Sequence, residues 1–278
     1  MCGICGYIGT CIDDSVLRLM AESLNHRGPD GSGCWTNDVS AFGHTRLAII
    51  DLSEAASQPM STSDGRYTIV FNGEIYNYHE LRGKLQQSGE IFQSASDTEV
   101  LLLGYRKWDR QVLDKLRGMF AFAVWDDYRR KLFLARDRIG IKPLFYAPLE
   151  KGMVFGSEIK AILKHPCVGK DINPAAVDSY LELGYVPGPE TIFRNIYALS
   201  PGCWLQYQEN QFKIGQYWIP NFSQPPVEKN EAELIEELDN KLNEAVSSHL
   251  VADVQVGAFL SGGVDSSLVA AVAQKHVE

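Results

Sequence analysis

The chain has 278 residues, 45% of them hydrophobic, which is the composition of a globular protein with room for one large domain or two. Its formal net charge of −9 argues against nucleic acid or an anionic membrane surface as a partner, because both would repel it on average. No apolar stretch approaches the roughly 20 residues that span a bilayer, and the chain does not begin like a signal peptide, so we expect a cytoplasmic protein.

The amino terminus places a cysteine directly after the first methionine. Removal of Met1 would leave Cys2 with a free α-amine, whose ordinary pKa of about 8 allows it to accept the thiol proton as the sulfur attacks a carbonyl. This is the arrangement of an N-terminal nucleophile. A cysteine at position two is also a common inert residue, so the rest of the chain must supply a substrate clamp and an oxyanion site.

Six cysteines are dispersed over a chain too long to need disulfide bridges, and we expect them to be reduced. Cys2 and Cys5 form a C-x-x-C motif, which leaves a redox or zinc protein as an alternative. Cys11 and Cys34 do not supply the second pair that a structural zinc site needs. A binding or regulatory module with an unexposed terminal cysteine is a further alternative.

The first elements alternate between strand and helix. Residues 4–8 are predicted as a strand in which Cys5 is a small core residue, and residues 15–25 are predicted as a helix. A Gly/Pro-rich turn follows and is expected to present Arg27 and Asp30 at a surface.

Residues 41–50 have the composition of a buried strand, although the segment contains His44 and Arg46. A buried guanidinium needs a partner. Arg46 is expected either to pair with an internal carboxylate or to bind the carboxylate of a ligand, which its planar fork grips in bidentate fashion.

Residues 67–71 predict a strand, Asn72 and Gly73 a turn, and the following residues a helix that ends near Gly89. At such a junction an amide side chain and a neighbouring glycine N–H can point to one spot, as an oxyanion site requires. Ser96 or Asp97 is predicted to cap the next helix, and the Asp97 carboxylate could instead receive the ammonium of an amino-acid ligand.

The segment from residue 118 to residue 157 predicts an antiparallel meander of four strands. Within it, Arg136 and Asp137 are expected to pair with each other. Short helices are predicted at residues 158–165 and 174–183, followed by loop and strand up to residue 207.

A polar, proline-containing stretch at residues 220–230 predicts a domain boundary. A helix of about five turns, a strand at residues 254–260, a Ser/Gly-rich loop at residues 261–267 and a helix to Val277 are predicted in that order. Backbone N–H groups in such a loop commonly hold phosphate, although the loop lacks the Gly-Lys-Ser/Thr ending of a Walker A motif. These few elements do not complete a doubly wound domain, so we expect a fragment of a longer protein.

Taken together, the sequence resembles the glutamine-dependent asparagine synthetase family over essentially its whole length. No single motif carries the resemblance, which depends on eight motifs in one order. They are Cys2-Gly3-Ile4, His26-Arg27-Gly28-Pro29-Asp30, Arg46-Leu47-Ala48-Ile49-Ile50-Asp51, Asn72-Gly73-Glu74-Ile75-Tyr76-Asn77, Ser96-Asp97-Thr98-Glu99, Arg136-Asp137 through Lys142-Pro143-Leu144, Ser157-Glu158-Ile159-Lys160 and Ser261-Gly262-Gly263-Val264-Asp265-Ser266.

The resemblance implies an α+β fold: a four-layer αββα amidotransferase sandwich at residues 2–207, a linker at 208–229, and the first elements of an α/β ATP-pyrophosphatase domain at 230–278. It implies that Cys2 is the nucleophile and that the Asn72 side chain and the Gly73 N–H form the oxyanion hole. The implied glutamine-binding residues are Arg46 for the α-carboxylate, Glu74 and Asp97 for the ammonium, and also Leu47, Ala48, Ile49, Ile50, Asn72 and Gly73.

For the second domain the resemblance implies that ammonia reaches an aspartyl-adenylate made from aspartate and ATP. The matching pyrophosphate loop comprises Leu260, Ser261, Gly262, Gly263, Asp265 and Ser266, with Asp265 expected to contact Mg²⁺. The glutaminase half would need no cofactor, and a homodimer is compatible with the family. Because the acceptor site is not in this sequence, an enzyme that amidates a sugar or peptide carboxylate stays an alternative. This chain is expected to hydrolyse glutamine and not to make asparagine unaided.

Overall fold

The computed structural model describes residues 1–223 and 229–276. Two predicted features, the prolines Pro225 and Pro226 of the linker and the helix end at Val277, lie outside the described residues. The chain divides into two compact units, Met1–Ile219 and Pro220–Glu278, and each is described by itself. No helix in the described part of the chain has the length and apolar character needed to cross a membrane.

Unit 1 contains two six-stranded sheets in which every pair of neighbouring strands is antiparallel. Sheet A has the order β10-β8-β9-β1-β3-β2. Its strands are β1 (Gly3–Gly9), β2 (Gly31–Thr36), β3 (Ser40–Arg46), β8 (Phe145–Leu149), β9 (Gly152–Gly156) and β10 (Tyr197–Ala198). Sheet B has the order β12-β11-β7-β6-β5-β4. Its strands are β4 (Met60–Ser61), β5 (Tyr67–Ile75), β6 (Gly118–Asp126), β7 (Lys131–Arg136), β11 (Cys203–Gln208) and β12 (Gln211–Gln216).

Five α-helices and three 3-10 turns complete unit 1. The helices are α1 (Asp14–Glu22), α2 (Tyr78–Gln87), α3 (Asp97–Trp108), α4 (Ile159–Ile162) and α5 (Pro174–Leu183). The 3-10 turns are Asn25–Arg27, Glu54–Ala56 and Asp109–Asp114. Helix α5 has the predicted bounds and ends at Gly184, whose φ of 77° is the left-handed conformation that glycine adopts without strain.

The two sheets pack face to face because alternate strand residues are apolar on the inner faces. Phe42 and Phe155 of sheet A join Val70, Trp125 and Leu134 of sheet B in one core. Helices α1 and α4 cover the outer face of sheet A, and α3, with α2 packed beside it, covers sheet B. The order helix, sheet, sheet, helix confirms the predicted four-layer αββα sandwich.

Two strand ends differ from the prediction, and one further strand lies in the segment predicted as a linker. The strand expected at residues 41–50 ends at Arg46, because the next two backbone N–H groups bond to side chains, Leu47 to Cys2 and Ala48 to Asp30. Strand β5 continues to Ile75 along its partner β6, so the expected turn at Asn72 does not form. Strand β12 pairs with β11 inside the predicted linker, which places the expected domain end at residue 207 within a β-hairpin.

Unit 2 contains two described helices. Helix α6 (Glu231–Ser248) has the predicted length and begins with a capping box between Asn230 and Glu233. Helix α7 (Val264–Gln274) follows the Ser/Gly loop. The strand expected at residues 254–260 is not formed, because no other strand of the described unit is available to pair with it.

Candidate active site

A cleft in unit 1 lies where the start of β1, the loop after β3, the edge of β5 and the start of α3 meet. The structure brings together here all ten residues expected to handle glutamine. They are Cys2, Arg46, Leu47, Ala48, Ile49, Ile50, Asn72, Gly73, Glu74 and Asp97. Residues from four separate stretches of sequence therefore form a single site.

Cys2 directly precedes β1, and its sulfur contacts Leu47, the first residue of the loop after β3. The Leu47 N–H donates to Sγ at 3.4 Å, and the thiol donates to the Leu47 carbonyl at 3.6 Å. Burial raises the pKa of the Cys2 thiol, although the contact with Leu47 opposes this effect. The sulfur is therefore a thiol at neutral pH and needs a base before it can act as a nucleophile.

The backbone of Cys2 is fixed by Arg27. Arg27 Nε donates to the Cys2 carbonyl at 2.9 Å, and Nη1 pairs with Glu158 at 2.9 Å. The expected exposure of Arg27 at a surface was wrong, because its side chain is only 9% accessible. Although burial alone would raise it, hydrogen bonds from Arg27, His26 and Lys160 lower the pKa of Glu158 to about 2.

The turn that carries Arg27 also depends on a glycine. A Cβ on Gly28 would lie 2.4 Å from the backbone of Thr45, so no other residue fits this close approach to β3. Asp30, two residues later, is exposed as predicted, and its carboxylate accepts a hydrogen bond from the Ala48 N–H at 2.9 Å. The turn thus fixes both Cys2 and the loop after β3.

Strand β5 becomes an edge strand at the cleft. Its neighbour β4 pairs only with Thr68 and Ile69, so β5 has no strand partner on that side beyond Ile69. Backbone groups of alternate residues point to the same side of a strand. The Phe71 N–H points to this open side and donates to Gln58 Oε1 at 2.6 Å, and the Ile75 N–H donates to Asp97 Oδ2 at 3.0 Å.

Gly73 lies between these two satisfied positions. Its N–H points to the same open edge, and no side chain or loop of the described residues accepts from it. A Cβ on Gly73 would lie 2.2 Å from the Met119 carbonyl of β6, so glycine is also required by packing. The edge thus presents one unpaired backbone donor to the cleft.

Asn72 supplies a second unpaired donor. Its residue is 1% accessible, and its Nδ2 is buried without a hydrogen-bond partner among the described residues. Side chains alternate along β5, so Asn72 shares with Val70 the face that packs toward sheet A. An unsatisfied buried amide of this kind costs about 1–3 kcal/mol, and such a cost is typical of groups that serve a ligand.

Arg46 ends β3 with its guanidinium along the rim of the cleft. It donates to the Ser53 carbonyl at 2.8 Å and to the Asp51 carbonyl. Both of these contacts are to backbone carbonyls, so neither is the internal carboxylate that was one of the two expected partners. A guanidinium has five N–H donors, so the two backbone contacts leave donors for a bidentate grip on a carboxylate.

Asp97 is the first residue of α3, but the helix is capped by its neighbour. Ser96 Oγ accepts from the Glu99 N–H at 3.2 Å, which assigns the capping role to Ser96. Burial raises the pKa of Asp97, the hydrogen bond from the Ile75 N–H opposes this, and the nearby Glu74 adds to it; together they bring the pKa to about 7. Asp97 thus carries a carboxylate whose charge is costly until a cation arrives.

Sequence reasoning missed several lining residues, among them Gln58, Thr98 and Lys142. Lys142 is fixed by Asp137, whose carboxylate accepts from the Ile141 and Lys142 N–H groups at 2.9 Å each. Burial lowers the pKa of the Lys142 ammonium, although Glu74 and Cys2 oppose this. The position of this lysine directly before Pro143, within one of the motifs that carry the resemblance, was the sequence signal that could have identified it.

The expected pairing of Arg136 with Asp137 was wrong. The Arg136 guanidinium instead donates to three backbone carbonyls, those of Lys142, Leu199 and Gly140, at 2.7–2.9 Å. Adjacent strand residues point to opposite faces, so the two side chains serve different partners.

In unit 2, the predicted phosphate loop is exposed and locally bonded. Ser261 Oγ lies 2.9 Å from Ser266 Oγ, and Gly262 has a φ of 82°. No side chain of the described residues caps α7, so the N–H groups of its first turn are open to an anion. Leu260, Gly263 and Asp265 share this exposed segment.

The structure also bears on the metal and redox alternatives that the C-x-x-C motif left open. In residues 1–223 and 229–276, no three His, Cys, Asp or Glu side chains cluster as metal ligands would. Cys5 is fully buried against α1 in the core under sheet A, whereas Cys2 lines the cleft. The two cysteines of the C-x-x-C motif therefore face different surroundings, and Cys5 is the predicted core residue.

Residues 1–218 match the family described as "Glutamine amidotransferase domain", and residues 237–278 match the one described as "Asparagine synthase". A Mycobacterium tuberculosis protein named "Putative asparagine synthetase [glutamine-hydrolyzing]" is 42% identical over 94% of this chain and 42% of its own length. "Asparagine synthetase [glutamine-hydrolyzing] 3" of Bacillus subtilis is 39% identical over 100% of this chain and 46% of its own length. The chain thus spans less than half the length of these curated relatives.

A solved structure, the glutamine phosphoribosylpyrophosphate amidotransferase of Bacillus subtilis complexed with ADP and GMP, is similar in fold. It matches with a TM-score of 0.58 and 19% identity, over 98% of this chain and 64% of that one. At this identity the likeness shows the fold alone.

Proposed function

The chain belongs to the glutamine amidotransferase family, and from this premise we propose that unit 1 hydrolyses glutamine to glutamate and ammonia with Cys2 as the nucleophile. The observation that carries the proposal is the buried, unpartnered Nδ2 of Asn72, which lines the same cleft as the sulfur. Beside it the edge of β5 presents the unpaired N–H of Gly73. Two converging donors next to a thiol form an oxyanion site.

Substrate binding follows from opposite charges at the two ends of the cleft. Arg46 grips the α-carboxylate with its remaining donors, and the loop residues Leu47 to Ile50 line the cleft beside it. Asp97 and Glu74 receive the α-ammonium. Once that cation is bound, the charge on Asp97 is compensated and its pKa falls. The two clamps leave the side-chain amide of glutamine near Cys2.

The reaction then proceeds in two halves. The α-amine of Cys2, freed by removal of Met1, takes the thiol proton while Sγ forms a bond to the amide carbon, and the Asn72 amide and Gly73 N–H stabilise the oxyanion. The protonated amine gives its proton to the leaving nitrogen, the C–N bond breaks, and ammonia and a thioester result. Water, deprotonated by the same amine, attacks the thioester, and the S–C bond breaks to return the thiol and glutamate.

The electrostatics of the amino terminus favour a neutral amine. Burial, together with the charges of Arg27 and Lys142, lowers the pKa of the Met1 amine, one residue before Cys2. At neutral pH, a larger fraction of an amine in this place is therefore neutral than of a free amine, and the neutral form is the one that can accept a proton. A mass of the mature protein that includes Met1 would contradict this mechanism, because a blocked Cys2 amine has lost its basicity.

For the complete protein we propose asparagine synthesis, in which ammonia reaches an aspartyl-adenylate made with ATP and Mg²⁺. The support is the match of residues 237–278 to the asparagine synthase family and the names of the relatives. The open N–H groups at the start of α7 fit a phosphate, and Asp265 in its first turn fits a contact to Mg²⁺. Amidation of a sugar or peptide carboxylate is the alternative, and screening carboxylate acceptors with the complete protein distinguishes the two.

The test is the release of glutamate and ammonia from glutamine by the wild type and by Cys2→Ala. We expect activity in the wild type and none above background in the variant, since its nucleophile is absent. Cys11→Ala is the matched control, because Cys11 is an exposed cysteine outside the cleft. A glutamine-like electrophile should label Cys2 alone. Equal activity in Cys2→Ala and the wild type would refute the proposal.

A further inference from the structure

Both backbone groups of Phe71, the residue before Asn72, are bonded by side chains from elsewhere in the sequence. Its N–H donates to Gln58 Oε1 at 2.6 Å, and its carbonyl lies 3.2 Å from His44 Nε2. At Ile69, two residues earlier, the strand pairs on this side with Met60 of β4. Because β4 stops opposite Ile69, these two side chains take the place of the missing strand.

The contacts are buried and further connected. Gln58 is 8% accessible, and its Nε2 donates to Thr98 Oγ1 of α3 at 3.2 Å. His44 is 1% accessible and belongs to β3, so its bond to Phe71 links sheet A to sheet B. A carbonyl only accepts, so the proton of this histidine is on Nε2 and its Nδ1 carries a lone pair, which has no partner among the described residues.

We propose that Gln58 and His44 are positioning residues for the oxyanion hole. The N–H and the carbonyl of Phe71 point to the same side of β5, so Gln58 and His44 together hold the open edge of the strand in place. The donors of the next two residues, Asn72 and Gly73, are thereby held at one place without a strand that would occupy the Gly73 N–H. The inference rests on the proposed glutaminase function and deepens it.

A neighbouring strand would have been the simpler way to fix β5, but it would also have paired the Gly73 N–H. An oxyanion site needs a donor that is rigid and unpaired at once. Side-chain bonds at Phe71 and at Ile75, the second from Asp97, fix the edge on either side of Gly73 and leave it open. The short β4 leaves the Gly73 N–H unpaired, and the two side-chain bonds fix the strand edge that β4 does not cover.

The test compares Gln58→Leu and His44→Leu with Thr62→Val. Thr62 is a matched control, because its Oγ1 accepts from the Tyr67 N–H at 3.1 Å at the other end of the same strand. We expect Gln58→Leu to lower kcat for glutamine about 10²-fold with KM within threefold, since misplacement of about 1 Å has that effect. His44→Leu should lower kcat similarly, and His44→Gln, whose amide reaches as far as Nε2, should restore most of it. Thr62→Val should keep kcat within twofold.

Alkylation of Cys2 by iodoacetamide separates positioning from general damage. This reaction displaces iodide from a saturated carbon and forms no oxyanion, so its rate should stay within about twofold in Gln58→Leu. Wild-type kcat in Gln58→Leu, or a parallel fall of kcat and alkylation rate, would overturn the inference.

Hydrogen exchange of the Phe71 amide tests, independently of activity, whether the hydrogen bond to Gln58 restrains the strand edge. The amide should exchange slowly in the wild type and at least tenfold faster in Gln58→Leu, while Thr62→Val leaves it slow. Unchanged exchange in Gln58→Leu would overturn this inference. A wild type without glutaminase activity would instead overturn the proposed function, so the two failures are distinguishable.

Discussion

The cleft of unit 1 and the Ser/Gly loop of unit 2 both carry residues expected to bind a ligand, but they are built differently. In the cleft, Asn72 and Asp97 are buried, and the contacts that fix them join residues far apart in sequence. In the loop, the hydrogen bonds join residues at most five positions apart, and the side chains are exposed. Buried polar groups cost stability unless a ligand or partner satisfies them, whereas exposed ones are satisfied by water.

This difference indicates that the cleft is organised before its ligand arrives. Its chemistry should therefore respond strongly to single changes at the most buried polar positions, and weakly to changes at its rim, where exposure approaches that of the loop.

The largest effect is expected from Asn72→Ala. Loss of one oxyanion donor typically lowers kcat by about 10²–10³, and KM for glutamine should change little because the clamps are elsewhere. No described residue accepts from Nδ2, so the substitution breaks no hydrogen bond at that atom. The thermal midpoint should therefore move by less than about 4 °C. Steady-state kinetics and a melting curve check both parts, and retained activity would remove Asn72 from the mechanism.

An intermediate effect is expected from Asp97→Asn. Removal of a charged partner of the ammonium should raise KM for glutamine about 10- to 100-fold, the equivalent of about 1.5–3 kcal/mol. In the wild type the pKa of Asp97 is about 7 before glutamine binds. KM should thus rise as the pH falls below 7, where the carboxyl is protonated, and this dependence should be absent from the variant.

The same substitution should stabilise the protein at high pH. Asp97 binds its proton more tightly when folded than the ordinary value of 3.8 implies, so between those two pKa values the folded state holds a proton that the unfolded state has lost. Stability from this group is present below pH 4 and is lost as the pH rises toward 7. Asp97→Asn should therefore melt at a higher temperature than the wild type at pH 8. Asp38→Asn, at an exposed aspartate, is the control.

The sequence was sufficient for the parts of unit 1 that depend on local pattern. The αββα class, the helix at residues 174–183, the core position of Cys5 and the resemblance to the asparagine synthetases are confirmed. The roles of the cleft residues stay predictions, although the structure gathers all ten in one place. Motif residues adjacent in sequence were readily identified because their types match the chemistry.

What sequence reasoning missed depends on contacts between distant segments. Apolar composition continues past Arg46, so nothing local marked the strand end that Cys2 and Asp30 impose on the next residues. The Asn-Gly pair indicated a turn, but pairing with β6 extends the strand through it. Gln58 lies in a polar loop, and it becomes a partner of Phe71 only because β4 does not begin until Met60. Tertiary pairing decided each of these cases.

The smallest effect is expected from Glu158→Gln, in the partly exposed ion pair with Arg27 that adjoins Cys2 (the rim pair). Glu158 is 25% accessible and pairs with Arg27, which in turn bonds to the Cys2 carbonyl. A partly exposed ion pair contributes about 0–1 kcal/mol, so kcat should fall no more than about fivefold. The amide oxygen of the new side chain at position 158 can still accept a hydrogen bond from Arg27, which preserves the contact of Arg27 with Cys2.

The pH dependence separates this rim pair from Asp97. The pKa of Glu158 is about 2, so its carboxylate is ionised throughout an assay from pH 5 to pH 9, and the stability that it contributes is lost only as the pH falls below about 4. The ratio of wild-type to Glu158→Gln activity should therefore be flat over that range, whereas the ratio for Asp97→Asn should change near pH 7. A ratio for Glu158→Gln that also changes near pH 7 would show that the rim and the buried clamp titrate together, and the contrast between buried and exposed polar groups would then fail within the cleft itself.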